Sequence, residues 1–331
     1  MVGYTQWFFF AHTETSGELL AEKISQFTKL IVNSDQNEEA VRIGLARELY
    51  SILIKPIEQQ IYPDKLLCII PDKSLNYLPF AALISSQTGR FLIEDYSVLL
   101  SPSATAFILL SEIAETKKNK KETLLVLGNP TIREADNGRL LELRAATEEV
   151  ENIASYYPQA TVLKEKQATE AEFRRRAVDA DIVHIAAHSV ADIRSPLLSK
   201  LLLAASPENS TSEDTDGSLH AYELFQIRMP RTRLVILSAC ETGIGRLYRG
   251  EGVMHLARPF LANGVPVVIA SLWKVDSGET KNLMMSFHQH RTHGNKTVAQ
   301  SLRLAQLETL RSSPKSSAWA SFQIIGGSSA Y

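Results

Sequence analysis

Cysteine is nearly absent: Cys68 and Cys240 are the only two in 331 residues. Two isolated thiols make no disulfide framework, and their scarcity fits a reducing, cytoplasmic setting. An excess of one charge is also missing. The 35 Lys and Arg nearly balance the 37 Asp and Glu, for a net charge of -2, so no basic footprint points to direct contact with nucleic acid. No apolar run approaches the roughly 20 residues of a membrane span, so no membrane partner is expected. The aromatic cluster Trp7-Phe8-Phe9-Phe10-Ala11 is too short for a span, lacks the basic start and cleavage site of a signal peptide, and reads as a buried strand. Cys-x-x-Cys, His-Glu-x-x-His and Gly-x-x-x-x-Gly-Lys-Ser/Thr do not occur, so neither a metal nor any cofactor is expected. Repeats and low-complexity tracts are absent too. The chain opens almost directly on its first strand, which suggests the C-terminal part of a longer protein.

The composition, 44% apolar and 22% charged, is that of a globular chain with a sizeable core, and the length suits one large or two medium domains. Residues 1–116 read as one α/β region. It has a strand at 6–12, an amphipathic stretch at 17–32, a helix at 37–61, strands at 66–71 and 91–100, and a helix at 103–116 opened by Ser101-Pro102-Ser103. The charge run Lys117-Lys118-Asn119-Lys120-Lys121 reads as a solvated linker and marks a domain boundary. Residues 122–331 restart the alternation. Strands are expected at 124–127, 160–163, 181–187, 198–204, 233–239 and 266–272, with helices at 143–157, 252–263, 277–291 and 295–311. Continuous apolar runs of this kind are parallel strands buried on both faces. Alternating strands and helices give a mainly parallel, doubly wound α/β sheet, whose site lies at the C-terminal strand ends. The acidic, turn-rich segment 207–217 cannot bury a core and reads as a mobile loop.

Two strands end in chemistry. Leu234-Val235-Ile236-Leu237-Ser238-Ala239-Cys240 runs into Glu241-Thr242-Gly243-Ile244-Gly245, and Ile182-Val183-His184-Ile185-Ala186-Ala187 runs into His188-Ser189. A strand-end cysteine is often just a small buried hydrophobe, and a strand-end histidine often caps a carbonyl. A packing cysteine needs no glycine-containing loop after it, whereas a nucleophile must leave the strand exposed where backbone can approach a substrate. His184 shares a strand face with His188, but about 13 Å away, too far for one metal site. A histidine about fifty residues before the cysteine is the spacing of caspase-type peptidases.

The chain resembles the CHAT domain, a caspase-like cysteine peptidase domain of the clan of caspases and separases. The resemblance is carried in order by Ile70-Pro71-Asp72, Tyr77-Leu78-Pro79-Phe80-Ala81-Ala82-Leu83, Gly128-Asn129-Pro130, the His188 strand, Ser238-Ala239-Cys240-Glu241-Thr242-Gly243, Gly250-Glu251-Gly252, Ala270-Ser271-Leu272-Trp273-Lys274-Val275-Asp276, Trp319-Ala320-Ser321-Phe322 and Gly326. It implies a caspase-like three-layer fold preceded by a pseudo-caspase half. Cys240 would be the thiolate nucleophile and His188 the general base and acid. The N–H groups of Cys240 and Ser189 would form the oxyanion hole. The family pattern has glycine after the histidine, and a serine there is strained if the turn needs φ > 0. Asp276 with Trp273 would line a pocket for a basic P1 side chain; alternatively Asp276 caps the helix at 277–291 and Trp273 only packs. The implied role is a cysteine endopeptidase acting on a protein substrate, the regulated effector of an upstream sensor or repeat domain, in bacterial defence or signalling. A gate would lie in 242–252. A non-catalytic caspase-like scaffold is the alternative, and an acyl hydrolase using the same dyad is a third.

Overall fold

The computed structural model describes residues 13–117, 121–132, 143–192, 194–206, 216–238, 252–294, 296–313 and 315–328. The expected strand at 6–12 and most of the expected loops at 207–217 and 242–252 lie outside these residues, and so does Cys240. The strands are β1 (Leu66–Ile69), β2 (Ser97–Leu100), β3 (Thr123–Pro130), β4 (Gln159–Glu165), β5 (Ile182–Ala186), β6 (His188–Val190), β7 (Lys200–Leu202), β8 (Ser218–His220), β9 (Leu234–Leu237), β10 (Val267–Ser271) and β11 (Phe322–Gly326). The helices are α1 (Gly17–Asn33), α2 (Glu39–Leu53), α3 (Leu92–Asp95), α4 (Ala104–Thr116), α5 (Arg144–Ser155), α6 (Glu170–Ala177), α7 (Ala221–Leu224), α8 (Gly252–Ala262), α9 (Ser277–His293), α10 (Val298–Ser312) and α11 (Ser316–Trp319).

Eight strands form one sheet in the order β1-β2-β11-β10-β9-β5-β3-β4. Every neighbouring pair is parallel except β10 with β11. The sheet is therefore two parallel blocks of opposite direction, β1-β2-β11 and β10-β9-β5-β3-β4. Period-two alternation sorts the strand side chains to two apolar layers. Leu124, Val126, Ile182, Leu234, Ile236, Val267 and Ile269 pack with residues of α1, α2, α5, α9 and α10. Leu125, Leu127, Val183, Ile185, Val235, Leu237 and Val268 pack on the other face with α6, α7 and α8. The result is the three-layer α/β architecture expected from the alternation.

Several local expectations are corrected. The helix expected over 37–61 stops at Leu53, and a 3-10 stretch, Lys55–Gln60, follows; Pro56 lacks the N–H that a continuing helix requires. The strand expected from 91 begins only at Ser97, because residues 92–95 form a helical turn whose entry Phe91 N–H is capped by Glu94 Oε2 at 2.7 Å. Residues 198–204 are not a strand of the main sheet. Their β7 pairs antiparallel with β6 and β8 in a separate three-stranded sheet. β11 was not foreseen. It closes the seam between the two blocks, where Gly326 has φ 135° and an added Cβ would lie 2.1 Å from the Pro266 carbonyl oxygen.

The charge run at 117–121 falls between strands of one shared sheet. Lys117 is no solvated linker residue. Its ammonium donates to the carbonyls of Gly264 (2.7 Å), Thr232 (3.0 Å) and Met229 (3.3 Å), and burial pushes its pKa down to about 8. Among the described residues, no helix is long and apolar enough to cross a membrane.

Candidate active site

The strand that leads to His188 lies beside the strand that leads toward Cys240. β5 and β9 are parallel neighbours, with His184 opposite Ile236 and Ile185 opposite Leu237. Every residue of both is buried, as expected for strands covered on both faces. After Ala186 the chain leaves the main sheet, and His188 becomes the first residue of β6, opposite Leu202 of β7. The small sheet thus holds His188 where the β5 strand ends. His188 is buried, and so is Ser189. Ser189 is in β6 with negative φ, so a serine there carries no left-handed strain.

His188 lines a small cleft of about 30 Å³ together with Ala187, Ser238, the α5 residues Ala146 and Glu149, and Lys274, Val275, Ser277 and Thr280 at the start of α9. α5 can pack this close because β3 carries Gly128 near its end. A Cβ at Gly128 would lie 2.6 and 2.7 Å from the Val150 methyls and 2.9 Å from the Ala146 carbonyl oxygen. Asn129, with φ 46°, accepts the Leu143 N–H at 2.9 Å and donates to Thr147 at 3.2 Å. It thereby supplies the cap that Leu143, at the helix start, cannot supply itself.

Beneath the cleft is a buried polar chain. Glu149 Oε1 accepts from Ser238 Oγ at 2.6 Å and lies 2.8 Å from His184 Nε2. His184 Nδ1 lies 3.2 Å from His288 Nε2, and His288 Nδ1 lies 2.8 Å from the Tyr157 hydroxyl. Arg291 donates to Tyr157 at 3.3 Å and pairs with Glu122, which also pairs with Arg233. His184 and His288 are fully enclosed. Burial, with His184 and the Arg291 guanidinium close by, holds the His288 pKa well below 6.5.

The remaining site candidates sit elsewhere. Asp276 is exposed and caps α9, accepting from Gly278 N at 2.8 Å and Glu279 N at 3.2 Å. The cleft wall carries Lys274 in its place. Trp273 is buried in the core, with Nε1 donating to the Ser317 carbonyl at 3.0 Å. Among the described residues no group of three His, Cys, Asp or Glu could hold a metal. Glu149, Ser238, His288 and Tyr157 were not anticipated as site residues. The signal was present: Glu149 sits on the apolar face of α5 with Ala146, Val150 and Ile153, and His288 on that of α9 beside Met284 and Phe287. A charged or titratable group at a core position marks a buried polar network.

The CHAT domain model matches residues 44–327. Human Tetratricopeptide repeat protein 28 is 26% identical over 330 residues, covering 85% of this chain, and the mouse protein of that name is 24% identical over 332 residues with the same coverage. The chain spans 13% of the length of each of these relatives. The Arg-specific cysteine proteinase gingipain R of Porphyromonas gingivalis superposes with a TM-score of 0.50 at 9% identity, covering 94% of this chain and 74% of that one; at that identity the likeness is one of fold. The sheet order, the strand pair leading to His188 and Cys240 and the match over most of its length place this chain in the CHAT domain family, with a caspase-like fold.

Proposed function

We propose that the chain is a cysteine endopeptidase that cuts a protein partner, with Cys240 as nucleophile and His188 as general base and acid. The observation that carries the reading is the adjacency of β5 and β9, with His188 and Ser238 lining one cleft at their ends. His188 takes the thiol proton, and Cys240 Sγ attacks the scissile carbonyl to form the tetrahedral intermediate. The Cys240 and Ser189 N–H groups stabilise the oxyanion. His188 then protonates the leaving amine, and the C–N bond breaks to leave the thioester. Water, deprotonated by His188, attacks the thioester, and the thiol returns with release of the acid. Asp276 is assigned to capping and Trp273 to packing behind the cleft.

The tetratricopeptide relatives are far longer than this chain, and their name supports a repeat-containing sensor as its upstream partner. The effector then works in defence or signalling. The test is mass spectrometry of candidate partner proteins incubated with wild type and with Cys240→Ala. Fragments formed only by wild type support the peptidase. Stable binding without cleavage assigns the chain to a scaffold role instead.

A further inference from the structure

We infer that the buried chain Tyr157–His288–His184–Glu149–Ser238 positions the nucleophile, with Ser238 as its handle on the backbone entering Cys240. The inference rests on the peptidase reading above. Its first support is polarity. Arg291 cannot give up its proton, so its N–H donates to the Tyr157 oxygen, and His288 Nδ1, 2.8 Å away, is placed to accept the Tyr157 O–H. That leaves the His288 Nε2–H to donate to His184 Nδ1, and the His184 Nε2–H to donate to Glu149 Oε1. The Ser238 hydroxyl donates to the same oxygen. Each donor in this arrangement meets one acceptor, which couples the two ends of the chain.

The second support is placement. The side chains around the network are apolar: Ile182, Ala186, Leu234 and Ile236 from the strands, Val150 and Ile153 from α5, Phe287 from α9. A fold needing only packing would continue that pattern, since buried polar groups give little net stability. The network instead reaches the sheet surface at Ser238, two residues before Cys240, and its carboxyl belongs to the same cleft as His188. Small displacements of a nucleophile are costly, about a hundredfold in rate for an ångström. These residues are positioning residues; the chemistry stays with Cys240 and His188.

The test compares Ser238→Ala, Glu149→Gln and the distal Tyr157→Phe, each with thermal melts to establish folding. One readout is turnover of a peptide copied from a cleavage site. The other, which needs no substrate, is the pH dependence of Cys240 alkylation by iodoacetamide, followed by peptide mass spectrometry. In Ser238→Ala and Glu149→Gln, kcat should fall about tenfold to a hundredfold with KM within about twofold, and a smaller fall is expected in Tyr157→Phe. The alkylation profile should move up toward the ordinary thiol range of about 8.5. Ser238→Thr, which keeps the hydroxyl, should recover most of both. If Glu149→Gln does not fold, Ser238→Ala decides alone. His188→Ala separates the two levels of the argument. If it moves the profile and Ser238→Ala does not, the positioning role is overturned while the dyad stands. If His188→Ala leaves the profile unmoved, the dyad is wrong and the positioning role falls with it.

Discussion

The two parallel blocks of the sheet end very differently. In the β1-β2 block, β1 is an edge strand with Leu66 exposed and Cys68 half-buried inside it. Burial pushes the Cys68 thiol up to about 11, so it stays protonated and inert at neutral pH. The β2 tip leads to Ser103, which caps α4 by accepting the Ala106 N–H at 3.0 Å. In the β10-β9-β5-β3-β4 block the strands are buried on both faces, and two neighbouring tips lead to His188 and Ser238 above a polar network. The blocks also run in opposite directions, so their tips lie on opposite edges of the sheet. Parallel strands alone make no site. What distinguishes the second block is polar groups placed under the strand ends, each with a partner.

The largest expected effect sets the two cysteines against each other. Cys240→Ala should lower turnover about a thousandfold or more, and Cys68→Ala should leave it within about twofold, since a protonated thiol is a poor nucleophile. Comparable losses in both would erase the contrast between the blocks. Glycines sharpen it next. Gly128→Ala forces a methyl into Val150 and the Ala146 carbonyl and should cost about 1–3 kcal/mol. Gly44, exposed inside α2 with nothing within 4 Å of its added Cβ, should gain about 0.5–1 kcal/mol as Gly44→Ala. Denaturant unfolding of both variants checks the signs.

The third effect is a pH dependence. The folded-state pKa of His288 lies well below 6.5, so below 6.5 the unfolded state binds the proton and the folded state does not. Stability is therefore present above 6.5 and is lost as pH falls, by up to about 1.4 kcal/mol per pH unit. Melts between pH 7 and 5 should show this slope, reduced by one proton in His288→Asn; an equal slope in the variant refutes it. The last effect is Asp276→Ala, which loses two capping bonds and should cost about 1 kcal/mol. Its P1 preference, profiled with a peptide library, should match wild type. A lost preference for basic residues would return Asp276 to the pocket.

The second block was more legible in the sequence than the first. Apolar runs such as Leu234–Leu237 and Val267–Ala270 state their own burial, and Gly128-Asn129-Pro130 and the motif beginning at Ala270 fall where β3 and β10 stop. The first block is irregular, and its short 3-10 segments obey local proline and capping chemistry that periodicity does not see. β11 was invisible because its five residues pair with strands far away in sequence, and only tertiary structure brings them together. Asp276 could be read both ways, since an acid before Ser277-Gly278-Glu279 suits a cap and a pocket alike. The polar network was hidden because it joins residues from α5, β5, β9 and α9, and spacing along the chain says nothing of that convergence.

The most direct test of the account is a crystal structure of the protein with Cys240 alkylated by a peptidyl inhibitor, alongside the free protein. In the free protein the Cys240 Sγ should lie about 3–4 Å from a His188 ring nitrogen, with both facing the cleft shared with Ser238 and Glu149. Cys240 and His188 on opposite faces of the sheet, or a thiol turned into the apolar layer, would contradict it.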